Sequence, residues 1–363
     1  MNGGNQQDRV SAVFVWHGFP PYAARLVGAL AKTGIVDLHV VASRPPFPVK
    51  QIENAARAPI TWLDPAKQTP HLNQIVPNDP QLVFSSGWAF AYCNELAKSA
   101  RNKGASVFAM VDNRRRHTTR QILGCIRFRT GLRHRFDGFL VPGKSATSLL
   151  EFFGVSREKI WQGLYGADPS IFACDVPLSA RCKRIVFVGQ MVERKGVDVL
   201  LRAFTSSGIV KAGWSLTMIG RGPLESQAQA TSGVTHYPLL ASEEIATHLH
   251  EAQVFAFPSR DDNWGVALHE AALAGCYLVT TDAVGAAADI MPAAVGSRAG
   301  SIISPGSISS LTDAFRHIAN ADPLAMQSAA SRSQHAAQSF GPARFKGAVL
   351  SILNSLGLRN AEK

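Results

Sequence analysis

The 363-residue chain has no unbroken apolar run of membrane-spanning length, so no transmembrane helix is expected. It has five cysteines, Cys93, Cys125, Cys174, Cys182 and Cys276, an odd number with no Cys-x-x-Cys pair. That argues against a disulfide framework or a metal site and for buried free thiols in a reducing compartment. Residues 1–8 are polar and lead straight into the apolar run 12–16. A charged and then apolar leader is missing there, and a cytoplasmic chain is expected. The most local shortage is of acid. Between Asn113 and Phe136 there is no Asp or Glu, while Arg114, Arg115, Arg116, Arg120, Arg127, Arg129, Arg133 and Arg135 supply eight positive charges in a chain of net charge +11. On a helix Arg116, Arg120 and Arg127 would share one face and Ile122 and Ile126 another, although Gly124 and Gly131 weaken helix formation. Such a run suits an anionic leaflet or a lipid diphosphate acceptor; a solvated basic surface is the plain alternative. Nucleic acid is disfavoured, because no nucleic-acid-binding motif accompanies the charge.

What is present is an alternation. The apolar composition of 46% is ample for two packed cores, and the length suits two domains. Residues 12–16, 38–42, 82–85, 106–111 and 139–141 read as strands. Helical stretches at 22–32, with Ala23, Leu26, Val27 and Leu30 on one face, and at 89–101 intervene. Strands alternating with helices predict a parallel, doubly wound sheet. The pattern restarts at Arg184, with a boundary expected at 175–181 and a final helix over 345–358.

Two clusters carry chemistry. In the first, the apolar run 254–257 leads through Pro258 and Ser259 to Asp262-Asn263-Trp264-Gly265-Val266-Ala267-Leu268-His269-Glu270 and an Ala/Leu-rich helix. Free N–H groups at a helix start bind anionic oxygens. A carboxylate about one turn inside the helix, as Glu270 would be, accepts bonds from vicinal hydroxyls such as those of a ribose. In the second, Arg184-Ile185-Val186-Phe187-Val188-Gly189 reads as a buried strand ending in glycine, followed by Arg194-Lys195-Gly196 and an amphipathic helix. Glycine there admits close backbone approach. Cations are not what a helix start prefers, so Arg194 and Lys195, a planar fork beside a point charge, point to an anionic partner such as a diphosphate.

The 262–270 segment resembles the E-x7-E motif of the family 4 retaining glycosyltransferases. Glu270 matches its second Glu, which grips the nucleotide ribose. Asp262, one methylene shorter, stands where the first Glu holds the donor sugar together with the backbone that follows it, here Asn263 to Val266. The resemblance extends to Gly189 and the Arg194-Lys195 pair on the donor diphosphate, to Gly220-Arg221-Gly222-Pro223 as the Gly-x-Gly-Pro turn, and to Leu240 in the loop lining the nucleobase pocket. It further matches Pro305-Gly306, with Ser307 in place of Asp, and a hinge at 164–168 with Tyr165 in place of Asn.

The resemblance implies an α/β chain of GT-B architecture, with two Rossmann-like doubly wound domains facing a cleft. Residues 1–175 would bind acceptor, 182–340 the nucleotide-sugar donor, and the helix within 341–363 would cross back to the first domain. No metal cofactor is implied. No carboxylate nucleophile stands out, which suits a front-face route with Arg194 and Lys195 stabilising the departing diphosphate. A histidine near the end of the fourth N-domain strand is common in the family. Asp112 ends that strand here and His117 follows, while His17, in Trp16-His17-Gly18-Phe19 after the first strand, is a second candidate; each is more often structural than catalytic. Gly18, Arg115 and Arg116 are the acceptor-side candidates.

The function expected is therefore retaining transfer of a hexose-type sugar to a glycan or lipid-linked acceptor, in surface polysaccharide or lipopolysaccharide assembly, with peripheral membrane association. The alternatives are a sugar-nucleotide epimerase of the same fold and a non-catalytic binding protein with a decayed site.

Overall fold

The computed structural model describes residues 9–45, 49–64, 72–76, 79–116, 118–291, 293–294, 297–298 and 300–358. The chain forms two compact units, Met1–Gly166 with Phe340–Lys363, and Ala167–Ser339.

The first unit is built on seven parallel strands: β1 Val10–Trp16, β2 Val36–Ser43, β3 Ile60–Leu63, β4 Leu82–Ser85, β5 Ser106–Met110, β6 Gly138–Val141 and β7 Ile160–Gln162. Their spatial order is β3-β2-β1-β4-β5-β6-β7. Side chains alternate across a strand, and in β1 both faces are covered. Phe14 and Trp16 join a core with Val27, Phe84 and Phe108, while Val13 and Val15 join Leu96, Val107 and Phe139 on the other side. The C-terminal helix Pro342–Ser355 completes the first of these cores through Phe345, Val349 and Ile352. Trp161 Nε1 donates to Ser351 Oγ at 3.2 Å and Arg344 donates to Gln162 Oε1 at 2.7 Å, tying this helix to β7.

The second unit has β8 Cys182–Val188, β9 Ser215–Ile219, β10 Val234–Tyr237, β11 Ala252–Phe257 and β12 Tyr277–Thr281. A short antiparallel ribbon follows, β13 Ala293–Ala294 with β14 Ser297–Arg298, and then β15 Ser301–Ile303. The main sheet is parallel throughout, ordered β10-β9-β8-β11-β12-β15. The stretch 167–181 packs here. Leu178 N–H donates to Gln327 Oε1 at 2.7 Å, His250 Nε2 pairs with Phe172 O at 3.0 Å, and Arg181, 7% exposed, donates to Val176 O and toward Leu249 O and Ala252 O. These bonds hold 172–181 to the second unit, which begins at Ala167, so the chain changes unit ahead of the 175–181 expected from sequence.

All five cysteines are free. Cys93, Cys125 and Cys276 are buried as expected, whereas Cys182, at the start of β8, is exposed and Cys174 is half-buried. Among the described residues no helix is long and apolar enough to cross a membrane.

Candidate functional site

Each main sheet reverses its order of construction at one point, between β1 and β4 in the first unit and between β8 and β11 in the second. Loops leaving the C-terminal ends of strands at such a point form the usual ligand crevice of doubly wound sheets. In the second unit the loops after β8, β9, β11 and β12 converge there and brace one another. Gly189 N–H donates to Ile219 O (2.9 Å), Met191 N–H to Arg221 O (2.8 Å), Arg260 N–H to Arg194 O (2.9 Å), and Asp262 N–H to Ala283 O (3.0 Å). Gly285 and Ala286 return bonds to Asp262 O and Trp264 O at 3.1 and 2.8 Å. Gly220, at φ +147°, sits so close to this bracing that a Cβ there would lie 1.8 Å from Gly189 O, so no other residue fits.

Asp262 and Lys195 meet directly. Lys195 Nζ forms an ion pair with Asp262 Oδ2, with the two side chains only 11% and 15% exposed, and the ammonium also lies 5.3 Å from the Phe257 ring centroid. Sequence spacing gave no sign of this pairing. Arg194 differs: its guanidinium donates to Asp261 O (2.8 Å) and Gln190 Oε1 (3.2 Å), both neutral acceptors, and the residue is exposed. Below them Arg260 holds Asp198 by two 2.7 Å bonds. The Arg260 hydrogen bond is the largest cause of a lowered Asp198 pKa, so this bridge stays charged.

The helix Val266–Leu273 starts from Gly265, which at φ +86° supplies the left-handed turn and has no side chain to cap the first N–H groups. Asn263, Val266 and Glu270 are half-buried and Trp264 is 2% exposed. Glu270 lies one turn into the helix, as its sequence position predicts. Next to it, His269 is fully buried. Its Nδ1 accepts from Ala167 N–H at 2.8 Å and Nε2 pairs with Ala337 O at 2.9 Å, so the proton sits on Nε2. Burial lowers its pKa from 6.5 to about 4, against a smaller opposing effect from the Ala337 bond. Leu240, half-buried, follows β10 just before the helix Ser242–Glu251. His236, which sequence reasoning passed over, pairs through Nε2 with Gly220 O at 2.8 Å and steadies that turn.

In the first unit the loop after β1 holds His17 and Gly18. His17 N–H donates to Ser86 Oγ (3.0 Å), Gly18 N–H to Ser43 Oγ (2.8 Å), and His17 Nδ1 pairs with Tyr92 OH (3.1 Å). The Phe90 ring stacks 3.6 Å from the imidazole, and partial burial lowers the His17 pKa. Asp112 follows β5 and accepts from Tyr165 OH at 3.2 Å; His117 lies outside the described residues. Arg115 stacks over Phe152 (4.5 Å to the centroid). Arg116 does not share a helix face with Arg120 and Arg127. The helix begins only at Thr119, capped by Thr118, and the Arg116 amide donates to Gln121 Oε1 at 2.7 Å. That helix, Thr119–Arg127, forms in spite of Gly124 and continues as a π-turn through Gly131 over Phe128–Leu132.

Comparisons with known proteins fit this geometry. Residues 182–321 match the family model described as glycosyl transferases group 1. Among curated proteins none matches. The chain is similar in structure to HepE of Anabaena, solved with UDP and glucose (TM-score 0.72, 15% identity, 96% of this chain and 100% of that one). It is also similar to WaaG, a glycosyltransferase involved in lipopolysaccharide biosynthesis (0.63, 16%, 94% and 99%). A third likeness is to a putative UDP-N-acetylglucosamine 2-epimerase of Listeria monocytogenes (0.65, 12%, 98% and 98%). With two parallel Rossmann-like units and likeness along nearly the whole chain, this protein has the GT-B fold, and the group 1 glycosyltransferase match falls on the unit that carries the braced, charged loops.

Proposed function

We propose that this protein is a retaining glycosyltransferase that moves a hexose-type sugar from a nucleoside diphosphate to an acceptor. The observation that carries the proposal is the convergence of Gly189, Gly220, Arg194, Lys195, Asp262 and the uncapped helix start before Glu270 at the reversal point of the second sheet, inside the segment that matches group 1 glycosyltransferases. Glu270 would accept from the ribose hydroxyls, Leu240 would line the nucleobase, and Asn263 to Val266 would support the sugar by their backbone. Arg194, whose partners are neutral, supplies an uncompensated charge for the diphosphate.

The Lys195–Asp262 pair gives the chemistry a sequence of events. Neither of two mostly buried charges is stable alone. A diphosphate that takes Lys195 would therefore leave Asp262 in need of donors, and the hydroxyls of the attached sugar would supply them. The diphosphate and the sugar are thus recognised as one unit. As the glycosidic bond breaks, charge grows on the leaving diphosphate, where Arg194 and Lys195 stabilise it. The same diphosphate can take the proton from the acceptor hydroxyl on the front face. In this proposal the two cations stand in for a metal ion, so chelation of divalent metals leaves turnover unchanged.

Polysaccharide or lipopolysaccharide assembly is the setting we favour, supported by the arginine-rich segment and by the likeness to WaaG. The likeness to a putative epimerase supports a second reading, in which the donor sugar is rearranged with no acceptor. A thermal-shift screen of nucleoside diphosphates and their sugars tests donor binding, since a ligand at about a hundred times its dissociation constant adds about 2.7 kcal/mol. Incubating the stabilising, radiolabelled nucleotide sugar without acceptor then separates the readings: slow hydrolysis supports the transferase, and a new epimer at equilibrium supports the rival.

A further inference from the structure

The helix Thr119–Arg127 has two apolar faces, of which the fold uses one. Cys125 and the following Phe128 are buried among Phe139, Leu149 and Phe153 in the first unit's core. Ile122, Leu123 and Ile126 point the other way and are 53%, 68% and 57% exposed. At positions i, i+1 and i+4 they form one continuous patch on the outer surface of the helix. The other large apolar side chains exposed among the described residues, Val176, Val210, Leu239 and Leu324, stand one to a segment; scattered singles are ordinary, and a cluster is not.

The charge around the patch identifies what covers it. Arg120 and Arg127 lie on the same helix beside the trio, and Arg133 and Arg135 are exposed in the turn that follows. No acidic residue occurs between Asn113 and Phe136. A second copy of this chain would set like charges against one another, and a nucleic acid would offer nothing to the isoleucines and leucine. An anionic bilayer satisfies both features at once, with phosphates at the level of the guanidinium groups and acyl chains just beneath. Arg129 anchors the segment from behind, donating through Nε to Phe153 O and through Nη2 to Phe152 O at 3.1 Å each, which keeps the apolar face turned outward.

We propose that this helix seats the protein on anionic membranes, with Ile122, Leu123 and Ile126 inserted at the headgroup–acyl boundary and the neighbouring arginines paired with lipid phosphates. The inference is independent of the donor chemistry in the second unit. Charge alone holds a protein at a surface only within a Debye length, about 10 Å at 0.1 M salt; an inserted wedge adds a component that salt does not remove.

The test is flotation of the full chain with vesicles of equal parts phosphatidylglycerol and phosphatidylcholine, and with phosphatidylcholine alone, at low and high salt. The parent should float with the anionic vesicles and keep part of its binding at high salt. The triple variant Ile122→Ser, Leu123→Ser, Ile126→Ser should bind at least about tenfold more weakly and lose what remains at high salt. The pair Arg120→Glu, Arg127→Glu should weaken binding by at least about fivefold per arginine. All these side chains are exposed, so thermal unfolding should be unchanged in both variants. A parent that does not float, or a triple variant that floats like the parent, overturns the proposal. So does a parent whose self-association, and not its flotation, is lost in the triple variant.

Discussion

The two units share a sheet topology and differ in what they place at its reversal point. In the first, the loops after β1 and β4 are held by rings and hydroxyls: His17 stacks on Phe90, its amide reaches Ser86, and the Gly18 amide reaches Ser43. In the second, the corresponding loops are held by charge, with Lys195 on Asp262 and Arg260 on Asp198, and Arg194 bound only to neutral acceptors. Topology alone would offer a ligand crevice in either unit. The countercharge that a nucleoside diphosphate requires is what distinguishes them, and on it rests the proposal that the donor binds the second.

The largest expected break in that comparison is Glu270→Ala. Charged hydrogen bonds to two ribose hydroxyls are worth about 1.5–3 kcal/mol each, so calorimetry should find nucleoside diphosphate binding reduced by about 100-fold or more with unfolding unchanged. Unaltered affinity would remove Glu270 from the site.

The histidines of the two units should also part company. His269 is neutral in the fold down to about pH 4, whereas unfolded it titrates at 6.5. Between those values the unfolded chain binds more protons. Stability is therefore fully present above about pH 6.5 and drains as pH falls toward 4, by on the order of 3 kcal/mol. Denaturant unfolding from about pH 7 to about pH 4.5 should show a steeper loss for the parent than for His269→Gln; equal slopes would mean that another group carries the acid sensitivity.

Asp262 sharpens the comparison at the level of a single methylene. Asp262→Glu should lower transfer by up to about 100-fold, because the added length misplaces a carboxylate held against Lys195. Asp262→Asn should lower transfer as well, yet bind bare nucleoside diphosphate more tightly than the parent does, since Lys195 is released from its partner. A Glu variant as active as the parent on the same donor would show that the loop tolerates either length. At the small end, His17→Ala should change nucleoside diphosphate affinity by less than about twofold, as expected for a residue outside the donor loops. A large loss in the same titration would place the first unit's histidine on the diphosphate.

How much of this was legible in the sequence follows burial. The central strands β1, β2, β4, β5, β6, β8, β9, β11 and β12 stand out as apolar runs because they are covered on both faces. Besides the short ribbon β13–β14, the strands that sequence reading passed over, β3, β7, β10 and β15, are the four edges of the two main sheets. Ile-Thr-Trp-Leu, Ile-Trp-Gln, Val-Thr-His-Tyr and Ser-Ile-Ile are short and mostly half-exposed, so their composition is mixed and their pairing is set by the strand beside them. In the same way Glu270 and Gly265 were placed by local pattern, a helix start after a strand. The Lys195–Asp262 pair, the Arg260–Asp198 bridge and the His269 bonds join residues 67, 62 and 102 or 68 positions apart. Such contacts depend on which strands adjoin, and a single sequence carries no local sign of them.

The central claim is that a nucleoside diphosphate binds the charged loops of the second unit. Amide hydrogen exchange with and without the nucleoside diphosphate that most stabilises the chain tests it most directly. Protection is predicted at 189–196 and 261–270, with little change at 17–19. Protection confined to the first unit, or a ligand that binds and leaves 189–196 and 261–270 exchanging as before, would contradict it.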